Sequence, residues 1–294
     1  MDLFSRSISY LRLSLTDRCN LRCMYCVTED ESAGCLSKLG QDELLTYEEL
    51  LWVVRVAVGM GITKVRLTGG EPLVRRGVLG FIRELMAIEG LGDVRITTNG
   101  VLLAQHAREL LDAGVNKVNI SLDSLKPQRV HDITGVDCFD AVWRGIETVL
   151  RLGFATVKLN MVAMRHINDD EIMERIATIG ELMPLQKGRN DGPAKVFRLG
   201  EDAAGSLGFI SPLSHHFCDR CNRLRLTSAG TLRSCLLHDS EVDLRAILRH
   251  QPSDATIRAA LIEAIRNKPR GHQLEERLHR SGSDCHGRMS RIGG

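Results

Sequence analysis

Charge imbalance is missing from this chain. Its 294 residues carry 39 Lys and Arg against 37 Asp and Glu, a net charge of +2, so nothing suggests a protein that coats nucleic acid or lies on a membrane surface. Long apolar runs are missing too. None approaches the roughly 20 residues of a membrane span, and residues 1–11 lack the apolar core of a secretion signal. The expectation is a cytoplasmic protein without nucleic-acid or membrane partners. Without an export signal, the nine cysteines do not read as a disulfide framework.

Six of those cysteines fall into two groups. Cys19, Cys23 and Cys26 form C-x3-C-x2-C just after the apolar-alternating run Tyr10 to Leu15. Three soft thiolates can hold three irons of a cubane and leave the fourth without a protein ligand, open to a substrate or cofactor. Zinc is the rival, because structural zinc sites also use C-x2-C pairs. It would want a fourth ligand nearby, and Cys35 follows without a partner of its own. Cys218, Cys221 and Cys235 form C-x2-C-x13-C, again only three thiolates. Cys35, Cys138 and Cys285 read as small apolar fillers or loop thiols.

Hydrophobic periodicity alternates between the two regular structures. Strand-like runs at 10–15, 64–68, 93–97, 117–122 and 156–162 follow or precede helical patterns at 46–58, 78–89, 105–113 and 139–152. Regular alternation of this kind implies a parallel sheet with helices outside, open or curled into a barrel. The cysteine triplet, Gly69-Gly70-Glu71-Pro72, Thr97 and Ser121 each lie at or past a strand's carboxyl end, where reactive residues of such folds sit. After a helix from Asp169 the pattern breaks at Gly180 to Pro184, too short and interrupted for a well-formed sixth strand. The expected division is therefore 1–186, a partial barrel, and 187–294, a cluster-binding extension that opens with a strand-like run at 195–199 and a glycine-rich stretch at 205–210.

Arg12, Arg66, Lys158, Arg223 and Arg225 occur on or beside strand-like runs. A long cation there is expensive to bury without an anion. Each alone reads as strand-edge charge or a structural ion pair, but five converging on a barrel mouth would suit a triphosphate.

At Cys19-Asn20-Leu21-Arg22-Cys23-Met24-Tyr25-Cys26 and Gly69-Gly70-Glu71-Pro72 the chain resembles the radical S-adenosylmethionine (SAM) superfamily. With Arg12 to Asn20, Arg66 to Pro72, Thr97-Thr98-Asn99-Gly100, Asn119 to Asp123, Phe217 to Thr227 and the terminal Gly293-Gly294, it is similar to the GTP 3',8-cyclases of molybdenum cofactor biosynthesis. The resemblance implies an incomplete (β/α)6 TIM-like barrel and two [4Fe-4S] clusters. The first, on Cys19, Cys23 and Cys26, would bind SAM, with Tyr25, Gly70, Ser121 and Met183 lining the pocket and the backbone and acidic side chain of Gly-Gly-Glu-Pro receiving the SAM amino group. The second, on Cys218, Cys221 and Cys235, would hold the guanine of GTP. Arg12, Arg66, Thr97, Lys158, Arg223 and Arg225 match GTP-contacting positions, and the Gly293-Gly294 tail reaches the active site.

It also implies a reductant of unidentified nature, a downstream cyclic pyranopterin monophosphate synthase and, as a candidate assembly, a homodimer. The chain departs from the family between Asp169 and Lys195, where only Gly180 to Asp191 stands for a sixth strand and its connection. An unpaired sheet edge and a more open SAM site are expected. Two rival functions follow: a GTP- or cluster-binding protein without catalysis, and a radical enzyme acting on a peptide.

Overall fold

Alternation at period two becomes a sheet with two unlike faces. The computed structural model describes residues 1–26, 38–179, 182–186, 193–199, 205–211, 216–238 and 240–271. Cys35, Cys285, Gly293 and Gly294 lie outside the described residues. Two compact units divide the chain, residues 1–161 with 222–294 and residues 162–221. The expected boundary at 187 falls inside the second.

In the first unit, five parallel strands are β1 (Tyr10–Ser14), β2 (Lys64–Thr68), β3 (Asp93–Thr98), β4 (Lys117–Ser121) and β5 (Thr156–Asn160). Helices α1 (Tyr47–Val58), α2 (Val78–Met86), α3 (Leu103–Asp112), α4 (Pro127–Thr134) and α5 (Phe139–Arg151) separate them. Of these, α4 was not foreseen: it is short, opens on Pro127 and ends at Gly135 in the left-handed region at φ 70°, a pattern easily read as loop. Helix α1 starts where a Thr-x-x-Glu sequence places it: the Thr46 side chain accepts from the Glu49 N–H, and the Glu49 carboxylate accepts from the Thr46 N–H.

Leu11, Leu13, Val65, Leu67, Ile96, Val118 and Ile120 are fully buried and pack with the helices in one hydrophobic core. The opposite face carries Arg12, Arg66, Thr97, Asn119 and Lys158, because successive strand residues point to opposite sides. Sheet order within the first unit is β11-β10-β9-β1-β2-β3-β4-β5, where β9 is Arg223–Leu226, β10 is Thr231–Arg233 and β11 is Glu241–Asp243. Strand β9 runs parallel to β1, with Arg225 beside Arg12 and Arg223 beside Tyr10. Late chain thus fills the flank of β1 while β5 ends the other side. The result is an open α/β partial barrel. Strand β10 stops at Arg233, two residues before Cys235. Helices α7 (Leu244–His250) and α8 (Asp254–Arg266) close this unit.

The second unit holds α6 (Asp169–Ile179) and an antiparallel sheet of β6 (Leu182–Pro184), β7 (Lys195–Leu199) and β8 (Ser206–Phe209). The shortened sixth strand is present as three residues, paired with β7 and not with the parallel sheet.

Candidate active site

The first triplet sits on the loop leaving β1, and neighbouring backbone fixes that loop at several points. Arg22 and Met24 N–H groups donate to the carbonyls of Thr134 and Ile133 at 2.9 Å each, tying the loop to the end of α4. The Gly70 N–H donates to the Thr16 carbonyl at 2.7 Å and the Glu71 N–H to the Arg18 carbonyl at 2.8 Å. So close an approach needs glycine, because a Cβ at Gly70 would collide with the Arg18 carbonyl.

The Glu71 side chain finds its hydrogen-bond donors within the chain. It is fully buried, and its carboxylate accepts from the Leu73 N–H at 3.0 Å, the Thr98 hydroxyl at 2.8 Å and the Asn99 N–H at 2.6 Å. The side chain joins the ends of β2 and β3. Burial pushes its pKa up to about 7 against those hydrogen bonds. Asn99, so held, donates from Nδ2 to the Cys19 Sγ at 3.6 Å and to the Asn20 Oδ1 at 2.7 Å.

Cys23, Tyr25, Asn99, Ser121 and Asp123 line one cavity, so the structure brings Tyr25 and Ser121 together beside the triplet. The Tyr25 hydroxyl donates to Asp123 Oδ2 at 2.7 Å. Asp123, Asn99 and Thr98 were not foreseen as site residues; their signal is position, each lying at or just past a strand's carboxyl end. Burial, then Cys26, Asp123 and Cys19, pushes the Cys23 thiol up to about 12. Burial raises Cys19 as well. Thiolates crowded in this way ionise when a metal centre supplies positive charge. Among the described residues no three His, Cys, Asp or Glu side chains converge on a single ion, whereas three partly exposed free thiols on one loop suit a cubane, whose irons are spread apart.

The polar sheet face gathers cations. Arg225, Arg12 and Arg66 stand side by side through the β9–β1–β2 register. One strand position earlier in the pleat, Tyr10 lies between Arg223 and Lys64. Arg66 Nε donates to the Tyr10 hydroxyl at 2.5 Å and its NH1 to the Thr97 hydroxyl at 3.2 Å. Lys64, Arg223 and Arg66 lie 5.0, 5.7 and 6.0 Å from the Tyr10 ring centroid. Burial opposes ionisation of Tyr10, but Arg66, Arg12, Arg223 and Lys64 outweigh it and lower its pKa. Burial, then Arg225, Arg66 and Arg223, depresses the Arg12 guanidinium well below its ordinary value. Such mutual repulsion marks a surface shaped for an anion. Tyr10 and Lys64 escaped the sequence reading, yet each lies two residues before a flagged arginine, hence on the same face.

Lys158 lies across the β4 ladder on the edge strand, exposed and opposite Asn119. Met183 is in the second unit, opposite Arg198 in the antiparallel sheet. Of the second triplet, Cys218 and Cys221 belong to the second unit, joined by an N–H to carbonyl bond of 3.1 Å, and Cys235 belongs to the first.

Two family models match the chain, the radical SAM superfamily over residues 13–179 and Molybdenum Cofactor Synthesis C over residues 157–274. The GTP 3',8-cyclase of Thermodesulfovibrio yellowstonii is 44% identical, covering 92% of this chain and 94% of its own. That of Pelotomaculum thermopropionicum is 41% identical over 334 aligned positions, covering 100% and 99%. With 294 residues here, about forty of those positions have no counterpart in this chain. Among solved structures, BtrN in complex with AdoMet and 2-DOIA superposes with a TM-score of 0.43 at 15% identity, covering 93% of each chain.

Proposed function

Because this chain belongs to the radical SAM superfamily, and within it to the GTP 3',8-cyclases, we propose that its polar sheet face binds GTP beside a SAM-carrying [4Fe-4S] cluster. The enzyme converts GTP to (8S)-3',8-cyclo-7,8-dihydroguanosine 5'-triphosphate, the first step of molybdenum cofactor biosynthesis. Cys19, Cys23 and Cys26 hold the cluster. When bound, it supplies the electron that cleaves SAM to a 5'-deoxyadenosyl radical able to take hydrogen from C3' of the ribose.

The chain's residues bind, orient and exclude water. Tyr25, Gly70, Ser121 and Met183 contact SAM, with Asp123 holding the Tyr25 hydroxyl. Arg12, Arg66, Arg223, Arg225 and Lys158 take the triphosphate as charge-assisted hydrogen-bond donors, Thr97 adds a hydroxyl, and Lys64 joins them. Cys218, Cys221 and Cys235 hold a second cluster that receives the guanine, and Gly293 and Gly294 complete the site from the tail. In this reading 1–186 is the SAM-binding part and 187–294 the guanine-binding part. We assign the shortfall to the stretch between Asp169 and Lys195, where the strand and helix pattern of the sequence breaks. An electron donor and a downstream cyclic pyranopterin monophosphate synthase are the partners. No helix among the described residues is long and apolar enough to cross a membrane, in keeping with a cytoplasmic enzyme.

What supports this reading above all is the β9–β1–β2 register, which sets Arg12, Arg66, Arg223 and Arg225 on one sheet face as a row of donors that a polyanion can bridge. Anaerobically reconstituted protein given SAM, GTP and a strong reductant should release 5'-deoxyadenosine and consume GTP. Release no greater than that of a Cys23→Ala control would overturn it.

A further inference from the structure

Lys268 follows α8 and is 3% exposed. Its Nζ donates to the Arg223 carbonyl at 2.9 Å and to the Ser234 carbonyl at 2.5 Å. Burying an ammonium is costly, so a lysine placed here is doing more than filling space. Its backbone is held in turn: Arg6, in a buried ion pair with Asp2 at 2.5 Å, donates to the carbonyls of Pro269 at 2.8 Å, Arg270 at 3.3 Å and Lys268 at 3.4 Å.

The two carbonyls that Lys268 joins stand where the β9–β10 ladder stops. Leu232 pairs with Leu226 and Arg233 with Arg225. Continued, that register would set Ser234 opposite Leu224 and Cys235 opposite Arg223, but the strand ends at Arg233. In place of further strand pairing, a cation donates to both chains. The Ser234 carbonyl and the Cys235 N–H belong to one planar peptide, so fixing the first sets the plane from which the Cys235 side chain departs. The Arg223 carbonyl likewise belongs to the peptide leaving a residue assigned to GTP.

We propose that Lys268 is a positioning residue of the second centre: its buried ammonium sets Cys235 for cluster binding and Arg223 for the nucleotide. The inference rests on the two-cluster reading above. Iron analysis and electron paramagnetic resonance of anaerobically reconstituted, reduced protein test it. Wild type should hold about eight irons per chain, with one signal perturbed by SAM and another by GTP. Lys268→Met should hold about four, keeping the SAM-sensitive signal and losing the GTP-sensitive one. Lys268→Arg, which keeps the charge and can serve both carbonyls, should recover the lost signal. A Met variant with about eight irons and an unchanged GTP response overturns the inference. So does one that loses both signals equally, since that is a failure of the fold and not of one ligand. If the Met variant does not accumulate, Lys268→Gln answers by the same two measurements. Wild type at about four irons overturns the two-cluster reading itself and the inference with it, and is told apart by appearing before any substitution.

Discussion

Glu71 is a carboxylic acid whose ionisation the fold resists. Its carboxyl, at about 7 in the folded chain because of burial, titrates near 4.3 when unfolded. Between those values the folded state holds a proton that the unfolded state has released, so stability falls as pH rises from about 4.5 to 7 and levels off above. Urea titrations of apo protein should show that decline, at most about 4 kcal/mol, and Glu71→Gln should flatten it. Arg12 trades stability for affinity. Its neighbours Arg225, Arg66 and Arg223 repel it, so Arg12→Leu should raise the apo protein's stability by about 1 kcal/mol while weakening GTP at least about tenfold. Thermal melts and equilibrium dialysis would read the two effects, and unchanged GTP affinity would remove Arg12 from the site. Both residues were visible in the sequence, Arg12 as a cation on a strand and Glu71 as part of a motif. That the Glu71 side chain faces Thr98 and Asn99 depends on two loops meeting, which no local pattern encodes.

At the scale of elements, the loops after β1 and β2 act as one piece because the Gly70 and Glu71 N–H groups enter the backbone of 16–18. Gly70→Ala would drive a Cβ against the Arg18 carbonyl, one residue before Cys19. The expected outcome is loss of about four irons per chain and of the SAM-induced spectral change, with α1 and the core intact by circular dichroism. Full iron loading would show that the loop yields. The parallel strands β1 to β5 and most helices were legible from apolar spacing, and α1 from its capping box. Helix α4 and strands β8 and β11 were not, being short and weakly patterned. Nor could spacing show that β9 joins β1, since pairing between distant segments leaves no periodic trace. The parity of Tyr10 with Arg12, and of Lys64 with Arg66, was present in the sequence and became meaningful once the register put three cations around one ring.

For the whole molecule, the open sheet matters most. Strand β5 ends the order, with Lys158, Leu159 and Asn160 exposed, in a family whose relative aligns about forty further positions. Solvent reaching a radical site diverts it. The ratio of 5'-deoxyadenosine formed to GTP cyclised should therefore exceed that of a full-length relative assayed alongside. A ratio equal to the relative's would show that the site is sealed by other means.

The pairing of β9 with β1 also sets a timetable. Asn222 and Ser9, which are hydrogen-bonded beside that ladder, stand 213 positions apart, so during synthesis the flank of the first strand waits bare until most of the chain has left the ribosome. A nascent chain can close the loop around Cys19 to Cys26 early, whereas Lys268 emerges near the end. With two centres as proposed above, maturation would be ordered in time, the one on Cys19, Cys23 and Cys26 able to mount before the one that needs Cys235.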